Sequence, residues 1–416
     1  MAVSGTHGVG IRGDFEIIIG SEPSCKICLS NVPGISPQHA ALKRVGDRLF
    51  IKDCGSKAGT FVNGKRLKRR MMEITRHDSI TICNMPIVIS PQLFLGRDRV
   101  GIETTRLKQV LKKKSVLCDG MFINAKPGTL TAVMGPSGSG KSVLLNLVNG
   151  YSKPTEGQVI VGGQFDLNQD YASIRDFLGY VPQDEVMIPQ LTVRESLDYR
   201  LRLRFPDMAP PVRNKLIEET CIRLGFENER LNKFLSTQIG SSESGIRGLS
   251  GGERRRANIA HELITKPLIL ILDEPTSGLS SVDSDHIIRL LHDLAKQDNL
   301  TIIATIHQPS RDAFALFDNL VLVDYGGKLA YYGPATDVAS YFRTVTGKDC
   351  GAKNPAEFVL EILQDSQVNS QHRLTDEFQR RLDSNQTAFR PLPTAPRGGW
   401  SVASVPKKGK SLATQK

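Results

Sequence analysis

Residues 134–142 read Met-Gly-Pro-Ser-Gly-Ser-Gly-Lys-Ser, and this stretch restricts the chain more than any other. Gly135, then Pro136, Ser137, Gly138 and Ser139, then Gly140, Lys141 and Ser142 have the spacing of a phosphate-binding loop. An apolar run of strand type, Leu130 to Met134, leads into it. Behind it Val143, Leu144, Leu145, Leu147 and Val148 recur at helical spacing. With no Cβ in the way, successive backbone N–H groups converge on an anion, and the helix adds free N–H groups and the positive end of its dipole. Lys141 is expected to bring a compact positive charge to the β- and γ-phosphates of a nucleotide, and Ser142 a hydroxyl ligand for Mg²⁺.

At 416 residues the chain has room for about two or three domains with cores of their own. A hydrophobic content of 39% with 23% charged residues is ordinary for a soluble globular protein, and no apolar run approaches the roughly 18 residues of a membrane-spanning helix. The first ten residues lack a signal-peptide core, so a cytoplasmic location is expected. Seven scattered cysteines suit a reducing compartment, and Cys25-x-x-Cys28 lacks the second close pair of a zinc site. The net charge of +11 calls for an anionic neighbour, either a phosphate-rich ligand or an acidic lipid surface. Its local runs, Lys65 to Arg70 and Lys112 to Lys114, have no interleaved aromatics, so nucleic acid is an unlikely partner.

From Phe15 to Ile89 the chain alternates short β-branched runs with turn signals such as Asn63-Gly64. That pattern predicts an antiparallel β-sandwich over residues 1–95. Gly20, Ser36-Pro-Gln-His39 and Asp53-x-Gly-Ser-x-x-Gly-Thr-Phe-Val-Asn-Gly64 resemble the forkhead-associated (FHA) family of phosphothreonine-peptide readers. The resemblance implies that Ser36 helps hold a phosphate, that Asn63 holds the peptide backbone, and that His39 is architectural. The family's usual arginines are absent: Ser21 follows the first glycine, and Pro37 follows Ser36. A phosphate there lacks its bidentate partner, so a domain kept for protein contacts stands beside the phosphopeptide reader.

After a linker and first strand region (96–114), residues 115–345 carry the nucleotide chemistry. Leu178 to Gln183 reads as a strand ending in a glutamine whose amide could reach Mg²⁺ or the attacking water. Gly248-Leu-Ser-Gly-Gly-Glu253 opens a helix, making Ser250, Gly251 and Gly252 a second anion cradle. Leu268 to Leu272 is a strand buried on both faces, followed by Asp273 and Glu274. Alternation along a strand would aim one carboxylate at Mg²⁺ and the other at the water attacking the γ-phosphate. A further apolar strand, Leu300 to Ile306, delivers His307. No ring between Gly101 and Leu117 is placed to stack on a base.

In this order the pieces resemble the ATP-binding cassette (ABC) ATPases: an α/β P-loop NTPase domain with a helical signature subdomain. Thr305-Ile-His-Gln-Pro-Ser310, Tyr331-Tyr-Gly-Pro334 and Asn354-Pro-Ala-Glu-Phe358 resemble the White/ABCG branch of exporters. The resemblance implies ATP and Mg²⁺ as cofactors, Glu274 as general base and His307 on the γ-phosphate. Ser142, Gln183 and Asp273 would serve Mg²⁺, and Gln183 would also link the site to a membrane partner. It further implies a head-to-tail homodimer, each ATP lying between one copy's P-loop and the other's Ser250–Gly252. One departure is Ser280, where the family usually has aspartate. Residues 346–383 are expected to form a helical extension and 384–416 a disordered basic tail. The expectation is an ATPase subunit, peripheral on the inner face of the cell membrane, acting on a separately encoded membrane subunit. A signalling ATPase that binds a phosphorylated partner is the alternative.

Overall fold

Two five-stranded sheets face each other at the N-terminal end of the computed structural model. The structure describes residues 15–384, apart from 30–33, 47, 69, 76–77, 84, 91–92, 96–99, 111–115, 164, 185–186, 207, 241–244, 366–368 and 370–372. The Lys112–Lys114 run and the tail beyond 384 lie outside the described residues. In the first sheet, β1 (Phe15–Gly20) lies between β2 (Ile27–Cys28) and β3 (Ala40–Val45), followed by β4 (Arg48–Asp53) and then β7 (Met72–Ile74). The second comprises β5 (Thr60–Val62), β6 (Lys65–Arg66), β8 (Ile80–Ile82), β9 (Met85–Ser90) and β10 (Leu93–Leu95). All pairings but the short parallel β1–β2 contact are antiparallel. Alternation sends Ile17, Ile19, Leu49, Ile51, Val62, Ile80 and Ile82 into one core. Asn63 and Gly64, at φ 52° and 77°, make the tight turn between β5 and β6 that their residue types favour.

The cassette that follows is built on an eight-stranded sheet. Its strands are β12 (Leu107–Val110), β13 (Val116–Met121), β15 (Leu130–Met134), β18 (Leu178–Val181), β19 (Ile269–Leu272), β20 (Thr301–Thr305), β21 (Asn319–Asp324) and β22 (Lys328–Pro334), in spatial order 12-13-22-21-15-20-19-18. Strands β18, β19, β20, β15 and β21 run parallel, so their carboxyl ends share one edge. A smaller antiparallel sheet holds β11 (Ile102–Thr104), β14 (Asn124–Ala125), β16 (Val159–Val161) and β17 (Phe165–Asp166). Val100, Ile102 and Leu107 are already part of the cassette core, so packing begins ahead of residue 115.

Helix α1 (Lys141–Val148) follows β15, and α2 (Tyr171–Ile174) precedes β18. A helical region of α3 (Val193–Arg204), α4 (Pro210–Arg223), α5 (Asn228–Ser236) and α6 (Gly251–Leu263) separates β18 from β19. Thr192 starts α3 and Ser250 starts α6, each through a reciprocal capping box with the glutamate three residues on. Then come α7 (Ser281–Asp298), α8 (Arg311–Phe314), α9 (Val338–Thr346), α10 (Pro355–Gln364) and α11 (Arg373–Asp383). Phe358, Leu374 and Phe378 bury α10 and α11 against the cassette core. Among the described residues no helix is long and apolar enough to cross a membrane.

The sandwich is docked on the cassette. Phe61 belongs to the cassette's core cluster rather than to the sandwich's, and its ring lies 5.4 Å from that of Phe205, just after α3. Beside it the buried Asp176 carboxylate accepts from the Ser79 hydroxyl and pairs with Arg204. Burial lowers the Arg204 guanidinium to about 10.

Candidate active site

The carboxyl edge of the parallel strands gathers the groups expected from the sequence. Between β15 and α1 the loop Gly135–Gly140 turns tightly: Gly135 has φ 154°, and a Cβ there would stand 2.1 Å from the Val323 carbonyl. Gly140, at φ 100°, caps α1, and its Cβ would meet the Leu117 carbonyl at 2.6 Å. Any side chain at either point would push the loop off its strand. Lys141 is buried, and its Nζ donates to the carbonyls of Gly135 (3.0 Å) and Pro136 (2.9 Å). Burial lowers its pKa, while the nearby charges of Glu274 and Asp273 oppose that shift. The Ser139 hydroxyl is buried with no hydrogen-bond partner among the described residues.

Gln183 follows β18, Asp273 and Glu274 follow β19, and His307 follows β20. They meet on one carboxylate: Gln183 Nε2 donates to Glu274 Oε2 at 2.9 Å, and His307 Nε2 lies 2.5 Å from Glu274 Oε1. The two acids are not separated by strand alternation, as the sequence suggested. Strand β19 ends at Leu272, and Glu274 takes the left-handed φ of 47°, so a backbone bend rather than the pleat divides them. Asp273, 6% exposed, accepts a 2.7 Å bond from the Thr305 hydroxyl on Oδ1.

Ser250, Gly251 and Gly252 stand elsewhere. Ser250 caps α6, with both its N–H and its hydroxyl donating to Glu253 (3.0 and 2.9 Å). Added Cβ atoms on Gly251 and Gly252 would press on Leu279 and Asp283, each at 3.3 Å. Among the described residues no hydrogen bond joins these three to the P-loop of the same chain. Ser280 starts α7, its hydroxyl accepting from Asp283 N at 3.1 Å. Aspartate caps equally well, so serine here keeps the helix start without the charge.

Two roles escaped the motif reading. In the sequence Thr305 stands only as the first residue of the Thr305–Ser310 stretch, with no role of its own; a hydroxyl closing a fully buried strand was the available signal. Arg255 is 6% exposed and donates to the carbonyls of Gln183 (3.2 Å) and Pro182 (3.5 Å), tying the signature helix to the glutamine loop. Three consecutive arginines at 254–256 cannot all face solvent on a helix that packs, which was the hint.

In the sandwich, His39 is fully buried: its Nδ1 accepts from Ser36 N (3.1 Å), leaving Nε2 to donate to Gly59 O (3.1 Å). Burial lowers its pKa. The structure does not bring Ser36 and Asn63 into one site. The Ser36 hydroxyl accepts from Lys57 N, before β5, whereas Asn63 lies beyond the other end of that strand. Asn63 donates its amide to Asp78 (2.7 Å) and accepts from Ser79 N (2.9 Å), which commits it to the turn facing the cassette.

Comparison with known families agrees with this layout. Residues 118–277 match the ABC transporter family, residues 17–83 the FHA domain, and residues 307–380 the ABC-2 type transporter family. The last match falls on β21, β22 and the helices behind them, which fold here as part of the cassette. The ABC transporter ATP-binding/permease protein Rv1747 of Mycobacterium tuberculosis is 35% identical over 322 residues, covering 76% of this chain and 35% of that protein. ABC transporter G family member 22 of Arabidopsis thaliana is 39% identical over 263 residues, covering 61% of this chain and 33% of that protein. The broad substrate specificity transporter ABCG2 of Bos taurus is 40% identical over 241 residues, covering 57% and 35%. The chain thus spans about a third of the length of these relatives.

Proposed function

Because the chain belongs to the White/ABCG-like branch of the ABC transporters and carries an FHA domain ahead of its cassette, we propose that it hydrolyses Mg·ATP to drive transport through an ABC-2-type membrane domain. The observation that carries this is the convergence on Glu274, itself at the end of β19, of groups from the ends of β18 and β20, next to the P-loop lysine.

The roles follow from position. Backbone N–H groups of Gly135–Gly140 cradle the phosphates, and Lys141 exchanges two loop carbonyls for phosphate oxygens. Glu274, held at both oxygens by Gln183 and His307, orients the attacking water and takes its proton. His307 then turns to the γ-phosphate. Hard oxygen donors suit Mg²⁺: the Ser142 hydroxyl and the Asp273 oxygen that Thr305 leaves unbonded would hold it, with Gln183 beside them. When bound, the cation neutralises charge on the phosphate oxygens. Ser250–Gly252 of a second copy close the site from the far side, their helix start offering a second anion cradle that, among the described residues, no hydrogen bond joins to the P-loop of its own chain. The Ser36 end of the FHA domain, away from the Asn63 turn, is the face for a phosphorylated partner.

The test is ATPase activity of the purified chain and of Glu274→Gln. Loss of a general base lowers kcat by about 10²–10⁴, with ATP binding retained. Full activity in Glu274→Gln would remove the assigned role. Capture of a polytopic membrane protein supports coupling to transport, and capture of soluble phosphoproteins alone favours a signalling ATPase.

A further inference from the structure

We propose that Thr305 is a positioning residue for hydrolysis, its one hydroxyl fixing both acids that follow β19. The inference rests on the roles given above to Asp273 and Glu274. Thr305 ends β20 and is fully buried, and it pairs with Val133 of the P-loop strand. Its Oγ1 donates to Asp273 Oδ1 at 2.7 Å and accepts the Glu274 N–H at 2.6 Å. A hydroxyl carries one proton and two lone pairs, so the two bonds assign its proton to the carboxylate and a lone pair to the amide.

Each bond settles a different quantity. The first orients Asp273: with Oδ1 engaged, Oδ2 is the oxygen presented toward a cation. The second sets where Glu274 begins. Asp273 N still donates along the sheet, to Val181 O, but the next N–H leaves the ladder for Thr305 just where the chain enters the left-handed region. That bend brings the Glu274 carboxylate between Gln183 and His307. A non-glycine residue stays in such a conformation only when its surroundings determine it. Thr305 is therefore not expected to touch nucleotide; it acts through its neighbours.

The test uses the full chain as wild type, Thr305→Val, Thr305→Ala, Thr305→Ser and Asp273→Asn. Mn²⁺ binding in the presence of ATP is read by electron paramagnetic resonance, Mg²⁺ half-saturation of turnover by kinetics, and ATP affinity in chelator as a control. Valine keeps the shape and loses both bonds, so Mn²⁺ affinity and kcat should each fall about tenfold or more, as for other supporting partners of metal ligands. Serine keeps both bonds, so the loss of about tenfold should not appear there, and metal-free ATP affinity should not move in any Thr305 variant. A folded Thr305→Val with wild-type Mn²⁺ affinity and turnover overturns the inference, as does a serine variant as impaired as valine. If valine does not fold, the alanine and serine pair decides by the same comparison. Asp273→Asn separates the two levels: unchanged Mn²⁺ affinity there removes the underlying site, whereas loss there without loss in Thr305→Val removes only the role of Thr305.

Discussion

Replacing Phe61 with alanine should uncouple the FHA domain from the cassette without dismantling either. Phe61 and Val62 are neighbours on β5 and point to opposite faces, Val62 into the sandwich core and Phe61 into the cassette core against Phe205. Truncating a fully buried phenylalanine costs about 3–5 kcal/mol, of which the ring pair contributes about 0.5–1.5 kcal/mol. That loss falls on the interface. At roughly 2.1 cal/mol/K of unfolding entropy per residue over 416 residues, each kcal/mol is worth about 1.1 °C, so a loss of this size should lower a coupled transition by about 3–6 °C. Scanning calorimetry of the full chain should show the two domains unfolding together in wild type and separately in Phe61→Ala. Val62→Ala is the control and should lower the sandwich transition alone. A single Phe61→Ala transition at the wild-type temperature would refute the assignment of Phe61 to the interface.

Two further outcomes follow from the described contacts. Burial lowers the folded pKa of His39 below 6.5, so between the two values the unfolded chain binds the extra proton; the stability from neutral His39 is complete above about pH 6.5 and is lost as pH falls toward the folded value. Chemical denaturation of wild type and His39→Gln across that window should show the slope in wild type and a flatter profile in the variant. Ser280→Ala removes the α7 cap and should cost about 1 kcal/mol in the same assay, while Ser280→Asp should leave stability close to wild type.

Much of the site was legible because its motifs are local. Gly135–Ser142 and Ser250–Gly252 each specify a loop and a helix start within a few residues, and backbone geometry does the rest. What required the fold was register between distant strands. That Thr305 lies against Asp273 depends on the pairing of β19 with β20, which no local spacing encodes. Alternation misled at Glu274 because the chain leaves the strand one residue earlier than the carboxylates suggest. Asn63 illustrates a different gap. The Asn-Gly pair announced a left-handed turn as much as a binding residue, and the structure spends its amide on that turn. Phe61 was readable as one face of a strand, but not what would cover that face.

The central claim is that ATP is hydrolysed between one copy's P-loop and another copy's signature helix, and complementation tests it directly. Lys141→Ala disables the P-loop, and Ser250→Asp puts a carboxylate at the opposing cradle while still capping α6. Each variant alone should be inactive. Mixed in equal amounts, random pairing makes half the dimers mixed with one intact site of two, so about a quarter of the wild-type rate should return. A mixture as inactive as its parts, or a Ser250→Asp protein with full activity, would contradict the composite site.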